Sequence, residues 1–465
     1  MPVFSPEQLA KWTRGTWTGS APAPVSGFCQ DSRALRAGEA FVCLRTDKRD
    51  GHDFLTAARK AGAAAALTGR KVAGEELPQL VTPDPLEALG MIARRHRETF
   101  AGPVIGVTGS CGKTSTKDLL ALLLGGAESV LATSGNFNNL IGVPLTLTRL
   151  EPTRHRAAVI EAGINEPGEM AKLAAIIRPD HAVVTLVAAA HLEKLGSLEN
   201  VAAEKALLPA AVPEGGWMAL PVSCFRHRPF RELKARLLTV AAPESDREEI
   251  PPGTVVVHYR VESASGESRI TLDSPDGGEE THAFRHLSRG MAANAALALA
   301  LARRLGVGEE DVRARAEAWS PARFRGETRR VGPTRYFVDC YNANPAAMAD
   351  SLEFFRESAS PAPRVYVIGC MGELGAESER AHREIGRRLR LRPEDRACLT
   401  GVDVPALRAG LLEAGNRPEQ IMEFHRIAEV APLVEGHEGD VFLKGSRVYE
   451  LETLVEPSQG KEAAC

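Results

Sequence analysis

No cysteine in this 465-residue sequence stands at the spacing of a metal or redox motif. The eight of them, Cys29, Cys43, Cys111, Cys224, Cys340, Cys370, Cys398 and Cys465, form neither a CxxC pair nor a spaced Cys/His set. That argues against structural zinc and leaves buried free thiols in a reducing compartment as the expectation. Neither sign of charge is in excess: 57 Lys and Arg face 60 Asp and Glu, for a net charge of −3. Nucleic acid and anionic membrane are therefore not expected as partners. No apolar run approaches the roughly 20 residues that cross a bilayer. The opening Met-Pro-Val-Phe-Ser-Pro-Glu also lacks the basic-then-apolar order of a secretion signal. Long low-complexity tracts and fixed-period repeats are absent too. What these absences leave is a cytoplasmic globular protein.

The composition that is present, 44% hydrophobic and 25% charged, suits a chain of roughly two to four domains. Three segments are expected. Residues 1–98 are alanine-rich and end near a basic helix and Gly102-Pro103. Residues 99–318 alternate apolar strands (Val104–Thr108, Ala157–Ala162, Ala182–Val187) with amphipathic helices, the signature of a parallel sheet with crossover helices. Within that segment, the polar stretch from about Glu244 to Thr281, punctuated by Pro-Pro-Gly and Asp-Gly-Gly, reads as strands and turns. Residues 319–465 repeat the alternation with strands at Tyr336–Cys340, Val365–Ile368, Cys398–Gly401 and Val441–Lys444. There Asn344 can cap a helix whose first position is Pro345. The expected fold is α/β: a small N-terminal α/β substrate domain, a central P-loop-type parallel sheet domain and a Rossmann-like C-terminal α/β domain. Ligands are expected in the cleft at the carboxyl ends of the strands.

The sharpest local signal is Gly109-Ser110-Cys111-Gly112-Lys113-Thr114-Ser115, between the strand Val104–Thr108 and an apolar helix through Leu124. Strand, glycine loop and helix in that order converge backbone N–H groups and a helix dipole on phosphate oxygens. Lys113 supplies a charge for the β/γ-phosphates and Thr114 a hydroxyl for Mg²⁺. The strict pattern G-x-x-x-x-G-K-[ST] is not met, since its first glycine falls at Val107; the chain has the variant T-G-x-x-G-K-T. Bound ATP, with its γ-phosphate driving formation of a bond, is the expected use.

The loop belongs to a longer string: Thr108-Gly-Ser-Cys-Gly-Lys-Thr-Ser-Thr-Lys-Asp118, Thr133-Ser-Gly-Asn-Phe-Asn-Asn-Leu-Ile-Gly-Val-Pro-Leu145, Ile160-Glu-Ala-Gly-Ile-Asn-Glu-Pro-Gly-Glu169 and Ala188-Ala-Ala-His-Leu-Glu-Lys-Leu-Gly-Ser-Leu-Glu199. This resembles the Mur ligases of peptidoglycan synthesis. Asp339-Cys-Tyr-Asn-Ala-Asn-Pro-Ala-Ala-Met348 and Gly372-Glu-Leu-Gly-Ala-Glu-Ser-Glu-Arg-Ala-His382 resemble the MurF branch, which adds D-alanyl-D-alanine to UDP-N-acetylmuramoyl-tripeptide. Asp31-Ser32-Arg33 and Asp50-Gly51-His52-Asp53-Phe54 are similar to the family's UDP-recognition stretch.

The resemblance implies an ADP-forming ligase that works through an acyl phosphate, with ATP and two Mg²⁺ ions as cofactors. Its expected partners are those two substrates, and its expected state is a monomer. It places metal ligation on Thr114, Glu161, His191 and Lys205, the lysine as a carbamate, and catalysis on Lys113, Lys205, His191 and Glu161. Nucleotide contacts fall on residues 109–115, Asn294, Arg325 and Asp339, with Tyr341 and Asn342 on the same loop as Asn344. Substrate contacts fall on Ser32, Arg33, Asp50, Gly51, His52, Asn136, Asn138, Asn139 and Asn344. Two positions depart from the family: Leu207 replaces an acid often found two residues after Lys205, and Gly290-Met291 replaces His-Asn before Asn294. One polar contact near the base is thus missing or supplied elsewhere. Lys444-Gly-Ser-Arg447 either contributes to substrate or phosphate binding or is a solvated turn. A relative with another acceptor (a folate polyglutamylating ligase, for instance) and a catalytically silent nucleotide-binding homologue are the alternative readings. Because nucleotide contacts fall on two segments, the third domain is expected to swing about Ser320-Pro321-Ala322. Asp339 should then stand clear of the loop until ATP binds.

Overall fold

In a computed structural model of the chain, residues 2–243, 250–264, 266–274 and 276–456 are described. Three sheets organise them. The first has the spatial order Thr16–Trp17, Gln79–Val81, Ala65–Thr68, Ala40–Val42, Phe28–Cys29, parallel except at the Thr16 edge. The last has six strands, ordered Glu327–Val331, Thr334–Val338, Asp440–Lys444, Arg364–Gly369, Arg396–Thr400, Ile421–Glu423. It is parallel apart from its first hairpin. All three domains are α/β.

The middle sheet has nine strands. Seven are parallel, from Val130–Ala132 at one edge through Ala157–Glu161, Val104–Thr108, His181–Val184, Trp217–Pro221 and Arg236–Ala241 to Val255–Ala264. The antiparallel strands Glu267–Asp273 and Glu279–Arg285 complete it. These last strands and their turns lie in the polar stretch read from the sequence, of which residues 244–249, 265 and 275 fall outside the described residues, as does Cys465. Strands Val104–Thr108 and Ala157–Glu161 are buried at every position. That is why they read as continuous apolar runs rather than alternating ones. Helices Lys113–Leu123 and Arg289–Arg304 pack together over this sheet with Leu119, Leu120, Ala296 and Leu297 in one core.

Two strands end two or more residues earlier than expected. The third of the central strands stops at Val184, not Val187. Beyond it Leu186 accepts from Ser110 N–H at 2.7 Å and Ala188 N–H donates to Ser110 Oγ at 3.0 Å. The backbone groups that would extend the ladder instead pin the phosphate loop. In the last sheet the strand is Thr334–Val338, entered from the hairpin turn at Gly332. Beyond it Asp339 N–H still donates to Leu443 O at 2.9 Å. Among the described residues seven cysteines are free thiols, and no helix is long and apolar enough to cross a membrane.

Candidate active site

The carboxyl ends of strands Val104–Thr108, Ala157–Glu161 and His181–Val184 open on one edge, and the third domain faces that edge across a cavity of about 430 Å³. Gly109 has φ +148°, and a Cβ there would lie 1.9 Å from Thr185 Oγ1. Gly112 has φ +79°, and a Cβ would lie 2.2 Å from Asn294 Nδ2. No other residue type fits either position. The strict motif's first glycine is unnecessary because Val107 is still inside the strand and fully buried. Gly112 caps the helix Lys113–Leu123 without a side-chain hydrogen bond. Its first-turn N–H groups are therefore available to an anion at the positive end of the helix.

Behind the loop lies a carboxylate cluster. Glu161 is 1% exposed. Its Oε2 accepts from Thr114 Oγ1 at 2.9 Å and its Oε1 from Asn138 Nδ2 at 2.8 Å. Its own backbone N–H donates to Thr133 Oγ1 at 2.9 Å. Asn138 thus aims the carboxylate, while Asn139 accepts from Ile141 and Gly142 N–H and starts the helix Gly142–Leu147. Asn136 is exposed on the same loop. Thr114 and Glu161 offer hard oxygen ligands suited to Mg²⁺. Among the described residues no three His, Cys, Asp or Glu side chains gather as a ready cation site. An ion here would complete its shell with phosphate and water oxygens.

Two lysines share one acceptor. Lys113 Nζ donates to Gly109 O at 2.9 Å and Lys205 Nζ to the same oxygen at 3.0 Å. Lys205 sits in the helix Leu198–Ala210, 1% exposed. Burial first and the Lys113 charge second hold its pKa well below the usual lysine value. Burial likewise lowers Lys113, against the pull of Glu161. Leu207 is 39% exposed, on the face of this helix turned away from the buried Lys205. The departure at that position therefore does not alter the surroundings of Lys205.

His191 follows strand His181–Val184 with a left-handed φ of 56°. Its Nδ1 pairs with Glu373 of the third domain, and Glu193 N–H donates to Glu373 O at 3.1 Å. Burial lowers the His191 pKa, with Glu373 opposing. Glu373 was not singled out by sequence reasoning, although it lies inside the Gly372-Glu-Leu-Gly string.

The third domain brings Arg325, Asp339, Tyr341, Asn342 and Asn344 to the cavity wall opposite Asn294. Arg325 stacks on Tyr341 at 3.9 Å. Asn344 caps helix Pro345–Ser358 by accepting from Ala347 N–H at 2.9 Å, and its Nδ2 donates to Ser110 O at 3.2 Å across the cleft. Lys444 is 1% exposed and pairs with Asp339 at 2.7 Å, so it is no solvated turn. Arg447 is half-exposed and pairs with Glu452. Asp339 lines the same cavity as the loop, and the Asn344–Ser110 and Glu373–His191 contacts span the cleft between the two domains. Ser288, Gly290, Met291, Phe337, Asp350 and Ser351 also line the cavity. Of these, sequence reasoning noted only Gly290 and Met291.

The first-domain residues do not line this cavity. Arg33 forms a two-pronged pair with Asp31, at 2.9 and 2.6 Å. Asp50 holds His52 Nδ1 at 2.5 Å and Arg70 at 3.1 Å, while His52 Nε2 accepts from Gly69 N–H at 3.0 Å. Gly51 passes so close to Cys43 and Leu44 that a Cβ would lie 2.7 Å from Leu44 N. The motif is thus a packed turn with Ser32 and Arg33 beside it at the surface.

Family models match three parts of the chain: residues 24–97 as "Mur ligase family, catalytic domain", 107–302 as "Mur ligase middle domain" and 324–447 as "Mur ligase, glutamate ligase domain". The chain is 31% identical over 459 residues to the UDP-N-acetylmuramoyl-tripeptide–D-alanyl-D-alanine ligase of Escherichia coli (strain K12), covering 97% of each. It is 28% identical to the Bacillus subtilis (strain 168) protein of the same name, again over 97% of each. Among solved structures it is similar to a MurF crystal structure from Acinetobacter baumannii, with a TM-score of 0.85, 27% identity and coverage of 98% and 99%. It is also similar to MurF ligase from Thermotoga maritima in complex with ADP, with a TM-score of 0.77, 26% identity and coverage of 92% and 96%.

Proposed function

The chain belongs to the Mur ligase family, in its MurF branch, and from that premise we propose that it joins the amine of D-alanyl-D-alanine to a carboxylate of UDP-N-acetylmuramoyl-tripeptide, converting ATP to ADP and phosphate. The observation that carries this reading is the single cavity shared by the phosphate loop, Glu161 and Asn294 on one side and Arg325, Asp339 and Asn344 on the other.

The substrate carboxylate attacks the γ-phosphorus, ADP leaves, and an acyl phosphate results. The amine then attacks the acyl carbon, the C–O bond to phosphate breaks, and a proton is released with the amide. Loop N–H groups and Lys113 hold the phosphates, and Lys113 exchanges Gly109 O for a phosphate oxygen as nucleotide enters. Arg325 and Asp339 hold the nucleotide from the third domain, and Asn294 contacts its base. Closure keeps water from the acyl phosphate. Bound Mg²⁺ would neutralise phosphate charge, held on the nucleotide side by Thr114 and Glu161.

Lys205 is suited to carry a carbamate: its depressed pKa favours the neutral amine, which adds CO₂ and releases a proton. The modified group could hold a second ion together with His191. Ser32 and Arg33 would meet the uridine nucleotide, with Asp50, Gly51 and His52 fixing the turn beside them. Asn136, Asn138, Asn139 and Asn344 would line the path of the peptide. A monomer is the expected state, and the free thiols support a cytoplasmic setting.

The test is phosphate release with UDP-muramoyl-tripeptide and ATP. Release that depends on D-alanyl-D-alanine and not on single amino acids is expected. Equal release with a single amino acid would point to a different acceptor, and none with any acceptor to a silent homologue.

A further inference from the structure

The helix Arg289–Arg304 carries Asn294, and its first turn is completed from another domain. Ser288 is its cap and accepts from Met291 N–H at 3.2 Å. The next orphan donor, Gly290 N–H, is taken by Asp350 Oδ1 at 2.9 Å, while Ser288 Oγ donates to Asp350 Oδ2 at 2.6 Å. Asp350 belongs to the third-domain helix Pro345–Ser358. A carboxylate at a helix N-terminus gains from the dipole and from charge-assisted hydrogen bonds.

This contact favours glycine at position 290, since any larger residue would displace the carboxylate. A Cβ there would lie 2.9 Å from Asp350 Oδ2 and 3.2 Å from its Cγ. Position 290 is also where the chain departs from the histidine that family resemblance leads one to expect. The space of that side chain is filled from across the cleft. Asp350 is tied to the opposite wall as well: its neighbour Ser351 donates to Asp339, which pairs with Lys444 at 2.7 Å. Asn294, one helical turn beyond Gly290 on the same face, packs on Gly112 of the phosphate loop.

We propose that Asp350 is a positioning residue of the nucleotide site and that Gly290 and Asp350 act as one unit, setting Asp339 and Lys444 at a fixed distance from Asn294. Burial, which raises the Asp350 pKa, fits a carboxylate enclosed by the closed cleft.

The inference rests on the cavity being the ATP site, and the experiment separates the two. Steady-state kinetics would be measured for the wild type, D350A, D350N, G290A and the double variant G290A/D350A, with thermal unfolding as a folding control. D350A should raise KM for ATP about tenfold or more, the effect of losing a hydrogen-bonded charged group. Its KM for D-alanyl-D-alanine should stay within about twofold. D350N, whose Oδ1 still accepts from Gly290 N–H, should recover most of the loss. G290A should mimic D350A, and the double variant should be no worse than the poorer single one, because both remove the same contact. An active wild type with KM for ATP unmoved in D350A, or with additive effects in the double variant, overturns this inference alone. A wild type that turns over no ATP overturns the ATP-site reading as well.

Discussion

Lys113 and Lys205 converge on the carbonyl of Gly109, and the two are expected to fail differently. K113A removes the cation facing the transferred phosphate, so kcat should fall on the order of 10²–10³ with an unchanged circular dichroism spectrum. Retention of more than about a tenth of wild-type kcat would show that Lys113 does not serve the phosphates. K205A should be severely impaired yet regain part of its activity with added short-chain carboxylates, a small acid replacing the carbamate. Failure of every such acid to rescue, together with no carbamate carbon resonance in the active wild type equilibrated with ¹³C-bicarbonate, would remove the carbamate from the mechanism. Lys113 stood out in the sequence through its glycine loop, and Lys205 only through resemblance to the family. Asp350 and Glu373 were not legible in that way. Each acts on a residue far away along the chain, Gly290 or His191, and no local period encodes a contact made across a cleft.

Several secondary-structure elements are held in place by imidazole nitrogens acting as acceptors, which only an unprotonated ring can do. His382 Nε2 accepts from Met371 N–H at 2.8 Å, joining helix Ser378–Arg388 to the end of strand Arg364–Gly369. His181 Nδ1 accepts from Trp217 N–H at 2.9 Å between neighbouring strands. Burial lowers the pKa of both from 6.5. The unfolded chain therefore takes up protons before the folded one does. The stability these rings contribute is complete above about pH 6.5 and is lost as pH falls through their folded values. Urea unfolding at pH 7, 6 and 5 should show this decline. In H382Q, whose amide oxygen can accept the same N–H, the decline should be shallower by at most about 1.4 kcal/mol per pH unit. A slope identical to wild type would mean that His382 stays neutral in neither state or both. Apolar runs predicted where strands lie, but not where Val184 and Val338 end them. The first of those ends is set by backbone partners in the phosphate loop, not by hydrophobicity.

At the scale of the whole molecule the third domain lies closed on the central one, through polar contacts at Asn344, Asp350 and Glu373 together with Arg289 facing Glu353 and Glu357 at 3.5 and 3.4 Å. The exposed Arg289 pairs add little, and an interface held by a few polar contacts normally permits relative motion. Solution scattering should therefore give a smaller radius of gyration with an ATP analogue and UDP-muramoyl-tripeptide than without them, the chain turning near Ser320. An unchanged radius would mean that the closed arrangement prevails throughout and that no closing step exists. The division into α/β units was legible from alternating strands and helices; the closed pose was not, because it depends on a few side chains that meet only once the domains are folded.

The meeting of Gly290 with Asp350 also bears on how the chain could be recombined. A third domain transplanted from a homologue without a carboxylate at the position of Asp350 would leave the Gly290 N–H without its acceptor. A central domain from a homologue with a bulky residue at position 290 would leave the carboxylate nowhere to seat. Chimeras joined at Ser320, the natural seam along the backbone, would thus divide a unit that the fold assembles from both sides, and an exchange that preserves it must carry Gly290 and Asp350 together.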